Sequence, residues 1–246
     1  MVRKKLADHG VGKSDGFRWR GGSEISRFEG FSDAVFAFAV TLLVVSLEVP
    51  RTFGELMEIM HGFAAFGICF ALLVVIWYKQ YIYFRRYGLQ DITTIVLNAV
   101  LIFVVLFYVY PLKFLFSLLI KQFTGGEMRV HLPGGVSAPI IEFGDVGTLM
   151  AIYSAGYIAV YLIFAFLFIH ARRKRRELEL NAIELYDTNS SIQGELVSVG
   201  IGCLSLLMLV VGGRYGASLA GWVYILIGPA LAVHGIVRGR GRRKLG

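Results

Sequence analysis

The sequence predicts an all-α membrane protein with six transmembrane helices per chain, and three observations carry that prediction. Of 246 residues, 56% are hydrophobic and 17% charged, against roughly 45–50% and 25% in an ordinary soluble domain. One soluble core cannot bury that much apolar surface. Five stretches free of Asp, Glu, Lys and Arg reach 18 residues or more, near the roughly 20 needed to cross about 30 Å of hydrocarbon. The connections then divide their Lys and Arg twenty to five. The positive-inside rule therefore places both termini in the cytoplasm and requires an even number of spans. With 14% aromatics and only Cys69 and Cys203, disorder and a disulfide scaffold are excluded.

In chain order, residues 1–24 read as a basic cytoplasmic tail, Gly- and Lys/Arg-rich and expected to be disordered over 1–22. The first span is set at 27–49. Its charge-free core, Ala34–Leu47, has 14 residues and covers only about 21 Å, so a crossing must carry Asp33 or Glu48 to membrane depth. A secretory signal core is the competing reading, but Glu48-Val49-Pro50-Arg51 is a poor cleavage site. The second span, 57–80, is built on Ile59–Tyr78. The third, 92–120, is built on Ile92–Leu112 and should be kinked by Pro111. Six glycines and two prolines over Thr124–Gly147 predict an irregular outer loop.

The fourth span, 147–171, runs into the basic residues Arg172–Arg176. Arg173/Glu177 and Arg175/Glu179 are spaced i,i+4, so this helix should continue until Asp187–Ser191 breaks it. The fifth and sixth spans are set at 195–213 and 216–237, and 239–246 is a second basic tail. Residues 25–238 thus form one six-span domain. Neither an internal repeat nor an interrupted helix is visible, which counts against a secondary transporter. Beside membrane spans the basic runs are topology signals and anionic-lipid contacts, not nucleic-acid sites.

No enzyme site is legible. The chain has no phosphate loop, dinucleotide fingerprint or CxxC pair, and its five histidines are scattered away from metal-ligand spacing. No enzyme activity, metal or cofactor is expected. Polar residues concentrate on the first span instead. At 100° per residue, Ala34, Phe38, Thr41, Leu42, Val45 and Glu48 fall in one arc. Phe36, Val40, Leu43, Val44 and Leu47 form the opposite, apolar side. An arc of small, hydroxyl and apolar residues ending in an acid suits the lining of an ion path: apolar rings that gate by dewetting, a hydroxyl at the same depth, a carboxylate at the mouth. Ordinary helix packing, with Glu48 at the interface, explains the same periodicity. Asp33 lies nearer the back face, where it should accept hydrogen bonds from Trp77, Gln80 or Asn98 and pair with a cation.

Arg27-Phe28-Glu29-Gly30-Phe31-Ser32-Asp33 resembles the RxxxFSD opening of the first helix in the TMEM175 family of potassium channels. The likeness extends through Ala34–Leu43, Trp77, Asp91 with Asn98, and Tyr110-Pro111. It implies a potassium-selective or potassium-preferring leak channel: a homotetramer in a bacterial inner membrane, its pore lined by the first helices. On that pattern Phe38, Leu42 and Val45 are the constrictions and Thr41 the hydroxyl ring. Arg27 and Asp33 would belong to a bracing network with Phe31, Ser32, Trp77, Gln80 and Asn98. Two residues depart from the pattern. Gln80 replaces the usual His, removing a titratable member of the network, and Phe38 replaces the usual Ile or Leu. A proton-permeable or weakly selective channel is the alternative on the same architecture.

Overall fold

The computed structural model describes residues 17–21, 26–45, 52–125, 128–131, 137–142 and 144–243. Its main helices are α1 (Arg27–Val45), α2 (Phe53–Tyr87), α3 (Ile92–Thr124), α4 (Asp145–Arg173) and α5 (Ala182–Val211). The chain ends on α6 (Gly216–Val223) and α7 (Ile227–Arg242), joined by a 3-10 turn over Tyr224–Leu226. Five segments are long and apolar enough to cross a membrane: Gly62–Tyr87, Ile92–Thr124, Asp145–Arg173, Ala182–Val211 and Gly213–Arg242. Helix α1 is not among them. It has 19 residues and carries Arg27, Glu29 and Asp33 in its first two turns.

Helix α4 packs between α3 and α5, while α1 leans on α2 and α3. The largest buried side chains gather at the end of the bundle that bears Arg85, Arg86 and Arg172–Arg176, termed here the basic end. There Tyr83 and Tyr87 meet Phe168 edge-on, at 5.5 and 6.1 Å between ring centres. Buried hydroxyls tie the other half together. Tyr224 donates to Ser154 at 2.9 Å, Ser154 lies 3.0 Å from Ser205, and Ser205 donates to the Ala220 carbonyl at 2.9 Å. A neutral, mutually satisfied set of this kind holds helices together at little desolvation cost.

Several elements differ from the sequence reading. Helix α4 stops at Arg173, so the expected i,i+4 pairs do not form. Successive turns cover 174–179, ending on Glu179 at φ 47°. Asp187–Ser191 is not a break but lies inside α5, which starts at Ala182 behind an Asn181–Glu184 capping box. Tertiary partners override the weak helix propensity there: Tyr87 pairs with Thr188 at 2.8 Å and Arg242 with Asp187 at 2.9 Å. The connection between α3 and α4 contains a small antiparallel ladder, β1 (Arg129–His131) on β2 (Ser137–Pro139), with Val130 opposite Ala138. The last span tightens into a 3-10 turn at Tyr224–Leu226 but runs on as one helical segment, Gly213–Arg242. Pro229 in the first turn of α7 has no N–H and crowds the carbonyl four residues back, at Ile225, in the middle of the 3-10 turn. Helix α3, by contrast, continues through Pro111.

Asp91, the residue before α3, joins that corner to the end of α4. It accepts from the Thr94 hydroxyl at 2.7 Å, lies 2.7 Å from His170 Nε2 and stands 3.9 Å from Lys174. Partial burial alone raises a carboxyl pKa, but Thr94, His170 and Lys174 outweigh it and hold Asp91 below its usual range. The stability this supplies is complete above the unfolded pKa of about 3.9 and is lost as pH falls through the lowered folded value. The melting midpoint in detergent should therefore drop below pH 4, and Asp91→Asn should flatten that limb. An unchanged acid limb in Asp91→Asn would contradict the assignment.

Candidate functional site

Helix α1 presents two different sides. Ser32, Phe36, Ala39 and Leu43 are buried against α2 and α3, with Val35 and Val40 half-buried beside them. Ala34, Phe38 and Thr41 lie on the opposite side, exposed, and Leu42 is half-buried at its edge. Phe38 is 56% exposed. Thr41 returns its hydroxyl proton to the Ala37 carbonyl at 3.0 Å, which leaves the oxygen lone pairs facing outward. Val45 ends the helix, its side chain outside the described residues, as is Glu48 altogether. Val44, placed by the wheel on the apolar back, is 46% exposed. The back face is thus narrower than the periodicity implied, because α2 and α3 cover just part of that side.

The polar residues at the start of α1 fall into two groups. Asn98 on α3 donates to Ser32 Oγ at 2.8 Å and accepts from Gln80 on α2 at 2.5 Å. All three are buried, and as two amides and a hydroxyl they give this link between three helices no titratable group. Asp33 takes no part in it. The structure places Asp33 on the exposed side and not near the back face, where it accepts from Trp77 Nε1 at 2.8 Å. Neither Gln80 nor Asn98 reaches it, and among the described residues no cation pairs with it. Consecutive helical residues point 100° apart, so Ser32 and Asp33 necessarily address different neighbours. Arg27 and Phe31 also stay outside the network within one chain, both exposed and Arg27 without a side-chain partner among the described residues.

Glu29, Asp33, Trp77, Gln80, Tyr81, Phe84 and Arg85 enclose a cavity of about 170 Å³ beside the basic end of α1. Among the described residues no three His, Cys, Asp or Glu side chains group to hold a metal ion. One pair escaped the sequence reading: Lys79 on α2 meets Glu195 on α5 at 2.7 Å, with Lys79 Nζ 4.7 Å from the Tyr161 ring centre. Both residues stand at predicted span ends, and their 116-residue separation hides the contact from periodicity.

A multi-pass helical membrane protein whose first described helix turns a mixed, hydroxyl-bearing face outward is the class these features define. The chain belongs to the TMEM175 family. The family described as endosomal/lysosomal potassium channel TMEM175 matches residues 27–108. A curated protein of Marivirga tractuosa named potassium channel is 38% identical over 250 residues, covering 98% of both chains. Another so named, from Chamaesiphon minutus, is 29% identical over 168 residues, 65% of this chain and 72% of the other. The crystal structure of a variant of the potassium channel MtTMEM175, bound to a nanobody–MBP fusion, superposes with a TM-score of 0.80 at 38% identity. It covers 94% of this chain and all of that one.

Proposed function

We propose that this chain conducts potassium passively, four copies assembling so that their α1 helices surround a shared axis. The carrying observation is the outward arc of Ala34, Phe38 and Thr41, left exposed by the other described helices. Relatives that align along nearly the whole chain are named potassium channels. On this reading Phe38, Leu42 and Val45 form apolar constrictions, Thr41 supplies hydroxyl oxygens between them, and Glu48 concentrates cations at the outer mouth. Six helices cross a bacterial inner membrane, with both termini in the cytoplasm and Arg172–Arg176 against anionic headgroups. Ions run down their gradient, and neither a cofactor nor catalysis is required.

The test is the reversal potential under bi-ionic potassium/sodium and pH gradients, for wild type and Thr41→Ala. The wild type should prefer potassium, and loss of the hydroxyl should lower the potassium-to-sodium ratio several-fold. A ratio untouched by Thr41→Ala removes Thr41 from the selective part of the path. A reversal potential that follows the proton gradient favours the proton-permeable alternative.

A further inference from the structure

Residues 17–21 belong to the stretch whose composition predicts a disordered tail, yet they lie docked across the basic end of the bundle. Phe17 is fully buried, edge-on to Tyr87 at 5.6 Å, and the Arg86 guanidinium stands 5.0 Å from its ring centre. Arg20 directs its fork at the α4–α5 connection. It donates to Glu184 through both terminal nitrogens, to the Leu178 carbonyl at 2.6 Å and to the Glu179 carbonyl at 3.2 Å. Glu184 is only 1% exposed and also accepts from the Arg18 backbone N–H at 2.8 Å.

On the opposite edge the Arg20 and Gly21 backbone N–H groups both donate to the Arg85 carbonyl, at 3.1 and 3.0 Å. The crossing is close enough to demand glycine on both sides. A Cβ on Gly21 would come within 2.6 Å of the Phe84 carbonyl oxygen. One on Gly88, which sits at φ +60°, would come within 2.9 Å of the Arg20 backbone. A solvated tail needs none of this complementarity.

The docked segment is joined by covalent chain to α1. Gly21 and Arg27 are six residues apart, about 20 Å when fully extended, so docking limits how far the start of α1 can swing. The same end of α2 receives both partners: Arg85 bonds the segment, and Phe84 meets Phe28 of α1 edge-on at 5.9 Å. Apolar side chains facing one another across a narrow aqueous path favour closure, because closing removes them from water. A restraint that opposes closure must act on α1 from the periphery of the assembly.

We propose that Phe17–Gly21 is a strap that holds the basic end of α1 away from the pore axis, with Arg20 and Glu184 as its positioning residues. Releasing it lowers open probability without changing which ions pass. This rests on the reading that α1 lines the pore. The strap and its dock form the two-state element that such a bias needs.

Two variants release it by unrelated means. Arg20→Gln removes the charge that satisfies the buried Glu184 carboxylate, and Gly21→Ala forces the crossing backbones apart. In the full-length channel in liposomes, each should raise tryptic cleavage after Arg18 at least tenfold. Potassium flux should fall at least fivefold, read in single channels as lower open probability at unchanged unit conductance and potassium-to-sodium ratio. Three results would overturn the proposal: cleavage raised with open probability unchanged, an altered unit conductance or permeability ratio, or a strap that stays protected in both variants. Phe38→Ala measured alongside tests the underlying reading separately. No effect on its unit conductance removes α1 from the pore, whatever the strap variants do.

Discussion

Phe38→Ala is expected to raise single-channel potassium conductance on the order of tenfold and to weaken selectivity. On the proposed assembly, four phenyl groups, one from each copy, would be removed from an apolar constriction at once. Lowering the barrier to ion passage by only about 1.4 kcal/mol is enough for that change, and emptying an apolar constriction of side chains favours its wetting. The substitution is also clean. Phe38 is more than half exposed on its own chain, so shortening it leaves no cavity within the protomer. Leu43→Ala, one and a half turns on, makes the contrast. Leu43 is buried, and truncation there should cost roughly 2–5 kcal/mol of stability with little effect on unit conductance. Equal conductance in wild type and Phe38→Ala would mean that the outward face of α1 meets lipid, and the pore assignment would fail.

That face was legible from the sequence because helical periodicity is local: the residues that define the wheel lie within four turns of one another. Trp77 as a partner of Asp33 was legible for a related reason, since an indole donor and a carboxylate near the same membrane surface have few alternatives. Long-range pairing is what composition conceals. The strap was hidden because Gly, Lys and Arg around a single Phe read as solvated chain, whereas its partner Glu184 lies 164 residues away. Asp187–Ser191 misled in the opposite sense. Its polar side chains favour turns in isolation, yet Tyr87 and Arg242 supply enough tertiary contact to keep the helix intact. Asp33 was misplaced by one position of the wheel, which at 100° per residue is enough to exchange a buried network for an exposed bond.

The Lys79–Glu195 pair leads to the second large effect, on stability instead of conduction. Glu195 is almost completely buried between α2 and α5, and Lys79 is its only ionic partner among the described residues. Lys79→Met leaves that carboxylate without compensation, which should cost on the order of 3 kcal/mol. This is the lower end of the usual range, because Lys79 keeps 31% of its side chain exposed and the site is not dry. For a chain of this size the melting midpoint in detergent should fall by about 6–12 °C. The double variant Lys79→Met/Glu195→Leu should recover most of the loss. Buried ion pairs barely repay their desolvation, and an apolar pair of similar volume holds two helices together about as well. A double variant as unstable as Lys79→Met alone would show that the pair positions α5 through its hydrogen bonds, a role that apolar contact cannot replace.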